Sequence, residues 1–270
     1  MTTNHYHRPQ LLETILEKLA ASGKDISSFS RHDLSTVDEF HLQGAAISIA
    51  LAKQIGLNAN QRVLDIGCGI GGPCRLIADE FGCEVAGVDY TAEYVRTATE
   101  LTRLVGLSEK VTFYEADALN LPFAEATFDV VWTQHAQMNI DNKTQLYAEV
   151  KRVLKTNGLF VYYDIFGTEK GTPYFPVPWA ETPAVSHLMP HERLKSIIDE
   201  KEWEGVFFED HTDNCTSFLG KALEGIRAGK APSVGLNLLM GEKTLEKFTN
   251  LFQCLKEGIV EVHAGVYRKK

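Results

Sequence analysis

The run from Val63 to Gly72, VLDIGCGIGG, constrains this chain more than any other stretch. It is a short apolar segment ending in an acid, then a turn holding four glycines, then residues that read as the start of a helix. Glycines at a strand-to-helix turn let the backbone take left-handed conformations and approach a ligand closely. The acid, Asp65, falls at the carboxyl end of the strand. There it favours a ligand with a positive group over one with a phosphate.

The run is embedded in an alternation of short strands and helical periodicity, the pattern of a parallel sheet with crossover helices. The spacing predicts strands at 62–66, 84–88, 111–115, 128–133, 159–164, 206–211 and 259–267. Helices are expected near 73–80, 92–106, 143–154, 191–200, 216–227 and 242–256. Upstream, Leu11, Leu12, Ile15, Leu16 and Leu19 share one face of a helix ending near residue 21, and a second helix is expected from about 38 to 56. Residues 1–60 therefore read as an N-terminal helical cover and 61–270 as the core. Two stretches of the core, about 168–190 and 213–257, read as lid segments.

Composition narrows the partners. A formal net charge of −9 and a pI near 5.5 argue against a nucleic-acid binder. Five cysteines without a C-x-x-C pair indicate neither a disulfide framework nor a zinc site, and fit a reducing, cytoplasmic setting. The stretch from Met1 to Lys24 lacks an apolar core flanked by basic residues, and no long uncharged apolar run is present, so neither an export signal nor a membrane span is expected. Oligomeric state is not legible.

In an open parallel sheet, ligands bind outside the carboxyl ends of the strands. Those ends carry Asp65, Asp89, Asp117 with Ala118, the Gln134–His135 pair, and Asp164. Gly67, Gly69 and Gly72 also fit G-x-G-x-x-G, with Asp89 twenty residues past Gly69 as a ribose-binding acid. Taken alone, that spacing serves any adenosine-containing cofactor, NAD(P) of an oxidoreductase included. Charge discriminates. Like charges at ~4 Å in a partly buried site repel by several kcal/mol, so a pyrophosphate tolerates no carboxylate there. Asp65, Asp89 and Asp117 stand against Arg75 as the nearby cation, and this suits a cationic adenosine derivative such as S-adenosylmethionine.

VLDIGCGIGG, the acid of GVDY, the acid of YEADALNLPF and the FDVVWTQ strand, in this order and spacing, resemble the class I S-adenosylmethionine-dependent methyltransferases. The resemblance is strongest over about residues 40–165. DEFHLQGAA, TQHAQMNI, YDIFG and PVPWA look like the small-molecule branch, which holds enzymes similar to sarcosine/dimethylglycine N-methyltransferases and quinone-biosynthesis methyltransferases. The resemblance implies an α/β, Rossmann-like, seven-stranded, mostly parallel sheet with helices on both faces and a helical lid before the last strand. It implies that Asp65 and the amides around Gly67 and Gly69 hold the methionine moiety. Asp89, with Tyr90 beside it, would take the ribose hydroxyls. Asp117 and the Ala118 amide would meet adenine, and Gln134 the methionine part.

The expected reaction is methyl transfer to a small organic acceptor, with nitrogen slightly preferred over oxygen or carbon. The alternatives are an NAD(P)-dependent oxidoreductase and a non-catalytic S-adenosylmethionine-binding protein. His135, just beyond the fourth strand, is the first candidate for a base, against a structural histidine. Gln137 and Asn139 could orient a polar substrate. His41 and Gln43 are assigned to a helix surface rather than to a closure over the cofactor. Asp164 either steers a cationic acceptor or caps the next turn. No metal is expected, because Thr133-Gln134-His135 stands where catechol-type enzymes place acids, and Asp141-Asn142 reads as a helix cap. The aromatic stretch from Tyr174 to Trp179 is expected over the acceptor.

Overall fold

A computed structural model describes Tyr6 and residues 8–26, 28–198 and 202–270. Among them a seven-stranded sheet runs in the order β3-β2-β1-β4-β5-β7-β6. The strands are β1 Arg62–Ile66, β2 Glu84–Asp89, β3 Val111–Glu115, β4 Phe128–Gln134, β5 Leu154–Gly167, β6 Trp203–Asp210 and β7 Val260–Lys269. The first five pair in parallel, and β7 lies antiparallel between β5 and β6. Strand order reverses between β1 and β4, which opens a crevice at their carboxyl ends.

Alternation along the central strands sets which side chains face which layer. Val63, Val130, Trp132, Val161 and Tyr163 face one core layer, whereas Leu64, Val131, Phe160 and Tyr162 face the other. By the same alternation Asp65 points to the side of Trp132 and Tyr163.

The helices are α1 Leu11–Ala21, α2 Ser35–Asp38, α3 Ala45–Gln54, α4 Gly72–Phe81, α5 Ala92–Leu104, α6 Lys143–Val153, α7 His191–Ile197, α8 Thr212–Arg227, α9 Asn237–Met240 and α10 Thr244–Lys256. In α4, proline in the first turn and a left-handed Gly82 at the end fix both boundaries. The apolar face of α1 joins Tyr94 and Leu101 of α5 and Leu239 of α9 in one cluster, so the N-terminal segment touches both the core and the insertion. The expected helix at 191–200 ends at Ile197, and residues 199–200 lie outside the described ones.

One expectation fails. The single helix from 38 to 56 is two pieces, α2 and α3, separated by a connector at 39–44. Gln43 and Gly44 take positive φ (65° and 57°), and the chain turns there instead of continuing. His41 and Gln43 consequently leave the helix surface assigned to them. His41 is buried, and Gln43 Nε2 donates to the Tyr163 hydroxyl at 2.9 Å.

Candidate active site

A cavity of about 1240 Å³ lies over the carboxyl ends of β1, β2 and β4. Its floor is the glycine turn. Gly67, Gly69 and Gly71 all have positive φ (77°, 56° and 83°), and a Cβ on Gly67 would come within 2.5 Å of Ala136 Cβ. Gly67 and Cys68 donate their amides to the Val88 carbonyl at 2.8 and 3.0 Å, Gly69 donates to Asp89 Oδ2 at 3.0 Å, and Gly71 donates to Cys68 O at 2.9 Å. Asp89 also accepts from Thr91 N at 2.8 Å, so its carboxylate ties the turn to the end of β2. Burial raises the Asp89 pKa, and these amide donors pull it back.

Of the residues picked out in the sequence, Gly67, Gly69, Asp89, Tyr90, Asp117, Ala118, Gln134 and His135 all line this cavity. Asp65 does not. Its carboxyl lies one layer behind the wall, 2% exposed, and Oδ2 accepts from the Cys74 thiol at 3.2 Å. Burial pushes Asp65 up to about 7, while the Cys74 hydrogen bond and nearby His41 lower it. Arg75 is no cation of this cavity; it turns to Asp38, at 2.6 Å. Asp117 stands at an exposed edge, where Oδ1 accepts from Leu119 N at 2.9 Å.

At the end of β4 the chain presents two polar side chains with unused hydrogen-bonding capacity. Gln134 accepts from Ser48 Oγ at 3.1 Å, but its Nε2 is buried without a protein partner among the described residues. His135 adopts φ 48°, donates its amide to the Tyr163 carbonyl at 2.9 Å and stacks on the Tyr163 ring at 5.1 Å. Its Nε2 is likewise buried and unpartnered. Burial, with His41 close by, pushes His135 well below the usual imidazole range, so its ring is neutral.

Asp164 holds that turn in place from the neighbouring strand, a role that neither of its two readings described. It accepts from Thr133 Oγ1 (2.9 Å), Ala136 N (2.8 Å), Gln137 N (3.1 Å) and Gln137 Nε2 (2.8 Å), and is fully buried. Gln137 is thus engaged in the fold rather than free for substrate. Asn142 caps α6 by accepting from Gln145 N at 3.1 Å.

The cavity is roofed by the segment between β6 and β7, through Phe218, Leu219, Ile226, Leu245, Phe248 and Leu251. From the aromatic stretch only Pro178 and Trp179 reach the wall. Tyr174 turns outward, 44% exposed, with its hydroxyl on Glu257 at 2.7 Å. Glu39, Tyr6 and Ser48 escaped the sequence reading. Glu39 and Ser48 lie in an acid- and serine-bearing stretch with too little apolar periodicity lost to mark the break between α2 and α3.

A protein-family model described as "Methyltransferase domain" matches residues 64–162. That span runs from β1 into β5 and contains the glycine turn, Asp89, Asp117, Gln134 and His135. Residues 64–162 form a methyltransferase domain. The sterol 24-C-methyltransferase of Eremothecium gossypii is 34% identical over 143 residues, which are 53% of this chain and 38% of that protein. The aligned stretches span less than half the length of each of eight curated relatives, sterol and cycloartenol C-24-methyltransferases among them.

Two solved structures extend the fold. Phosphoethanolamine N-methyltransferase 2 of Haemonchus contortus, solved with phosphomonomethylethanolamine and S-adenosylhomocysteine, superposes with a TM-score of 0.76 at 20% identity, over 100% of this chain and 60% of that one. The [4+2]-cyclase SpnF gives 0.67 at 20% identity, over 96% and 94%. At that identity both show the fold of the methyltransferase domain, and the second shows that the fold alone does not name a reaction.

Proposed function

We propose that this chain transfers a methyl group from S-adenosylmethionine to a small organic acceptor. The carrying observation is the state of the glycine turn. The amides of Gly67, Cys68, Gly69 and Gly71 are already bound to internal acceptors, and a carboxylate stands on the third. A pyrophosphate needs such amides free, so the oxidoreductase reading loses its anchor. A sulfonium nucleoside needs carboxylates and a few polar contacts. Asp89 would accept from the ribose hydroxyls, Asp117 and the Ala118 amide would meet adenine, and the open Nε2 of Gln134 would donate to the methionine carboxylate. When bound, S-adenosylmethionine supplies an electrophilic methyl group.

His135 is the base in this reading. Its neutral ring accepts the acceptor's proton at Nε2. That unpartnered nitrogen favours catalysis over mere cofactor storage. The roof and Trp179 favour a bulky, largely apolar acceptor over the sarcosine-type nitrogen compound that the sequence slightly prefers. Calorimetry with S-adenosylmethionine, S-adenosylhomocysteine and NAD should show micromolar binding of the first two only. A labelled-methyl assay over phenols, isoprenoids, amines and sarcosine then reads the acceptor. NAD binding with indifference to the sulfonium compound would overturn the proposal.

Asp65 gives the binding a pH signature. Its pKa of about 7 means that below pH 7 the carboxyl is mostly protonated in the free protein. In this reading the ligand's ammonium sits across the wall from Asp65, and a positive charge there favours the ionised form. Binding therefore releases a proton, and affinity for S-adenosylhomocysteine should fall up to about tenfold for each pH unit below 7. Titrations between pH 5.5 and 8 check this (roughly the window set by that shift). Asp65→Asn should bind more weakly above pH 7 and lose the slope, and a slope retained in that variant would assign it to another group.

A further inference from the structure

The connector at 39–44 puts two titratable side chains into the cavity wall that methyl transfer, as described, does not use. Glu39 and His41 both line the cavity and are buried. His41 Nδ1 lies 3.1 Å from the carbonyl oxygen of Leu42, and Nε2 lies 2.8 Å from Glu39 Oε2. A carbonyl oxygen only accepts, so Nδ1 carries a proton. Nε2 and Glu39 then share a second one. A carboxyl group is ordinarily the far stronger acid, which leaves that proton on the ring. Both ring nitrogens of His41 thus face oxygen acceptors, the geometry of an ion pair.

That ring faces His135. The two ring centres are 6.2 Å apart at 78°, and His41 meets Tyr163 edge-on at 6.2 Å while His135 lies flat on it. We propose that Glu39 and His41 are positioning residues for His135: the pair holds a fixed imidazolium against its ring, keeps that ring in the accepting form before transfer, and expels the proton it has taken afterwards. The inference rests on His135 acting as the base. The proton passes from the acceptor to His135 Nε2 and then to water, and the pair keeps its own proton throughout. Besides Glu39, the titratable groups packed around the rings are Asp65 at the end of β1, Tyr163 on β5 and, edge-on to Tyr163 at 5.5 Å, His211 just before α8.

The arrangement separates charge from shape. In Glu39→Gln the side-chain amide can donate to Nε2, so the hydrogen bond survives and the shared proton does not. Long-range proton–nitrogen NMR on protein with 15N-histidine reads this directly. At pH 7 the parent should show His41 with both nitrogens protonated and His135 with one bare. In Glu39→Gln, His41 should lose one proton, and the His135 titration should move up by about one pH unit. A bare nitrogen on His41 in the parent, or a His135 curve that is the same in both proteins, overturns the proposal. If the variant does not fold, the parent spectrum alone decides. None of these spectra needs cofactor or acceptor, so failure to bind S-adenosylhomocysteine counts against the proposed function and leaves this reading to the rings.

Discussion

Replacing His135 by asparagine is expected to lower kcat by about 10²- to 10⁴-fold, the usual contribution of a positioned general base. The dissociation constant of S-adenosylhomocysteine should stay within a few-fold. Asparagine is the informative substitution because residue 135 sits at φ 48°, a left-handed conformation that asparagine tolerates better than alanine does. The amide bond to the Tyr163 carbonyl and the Asp164-centred turn are then retained, and only the imidazole is lost. Steady-state rates with the acceptor from the labelled-methyl panel, set beside calorimetric affinities, separate the outcomes. A full rate in this variant would mean that the acceptor arrives without a proton to lose, and would reduce the histidine to a packing group under the roof.

Asp38→Ala is expected to cost about 3–5 kcal/mol of stability, by leaving a buried guanidinium unpaired. Arg75 is fully buried, with Nη2 2.6 Å and Nε 3.3 Å from the two carboxylate oxygens of Asp38. Its remaining acceptors are neutral, Thr102 Oγ1 at 3.1 Å and the Ala98 carbonyl at 3.3 Å. The backbone of Asp38 separately constrains Gly72, since a Cβ there would collide with the Asp38 carbonyl oxygen. Chemical denaturation reads the loss. Asp38→Asn should cost less, and Asp38→Ala combined with Arg75→Met should recover much of it, because removing both charges also removes the unpaired one. A single variant as stable as the parent would show that water reaches Arg75.

The parallel strands were legible because each is a short apolar run bounded by turn chemistry, and β1 to β5 fall within a few residues of where those runs predict them. One wall of the cavity was legible for a related reason: Asp89, Asp117 and Gln134, which line it, follow directly from where strands end. Sequence reasoning failed where periodicity and geometry disagree. Phe40, Leu42, Ala45, Ala46 and Ile49 continue a helical repeat across Gly44, and nothing in that repeat shows that Gln43 and Gly44 turn the chain. The buried placement of Glu39 and His41 went unseen with it. Depth was equally hidden, because strand alternation gives the side of Asp65 but not the Cys74 thiol that occupies its oxygen. The role of Asp164 was hidden too, because its four donors come from residues 133–137, a strand away, and not from the turn that follows it.

The roof helices α8 to α10 enter and leave through β6 and β7, the two antiparallel strands at one edge of the sheet, while the facing wall of the cavity belongs to β1 to β4. The two halves of the cavity therefore answer to different stretches of polypeptide. Exchanging residues 211–259 for the equivalent insertion of another enzyme of this architecture should retarget acceptor choice while nucleoside affinity is inherited unchanged, so new specificities can be sampled by recombination at a single edge hairpin.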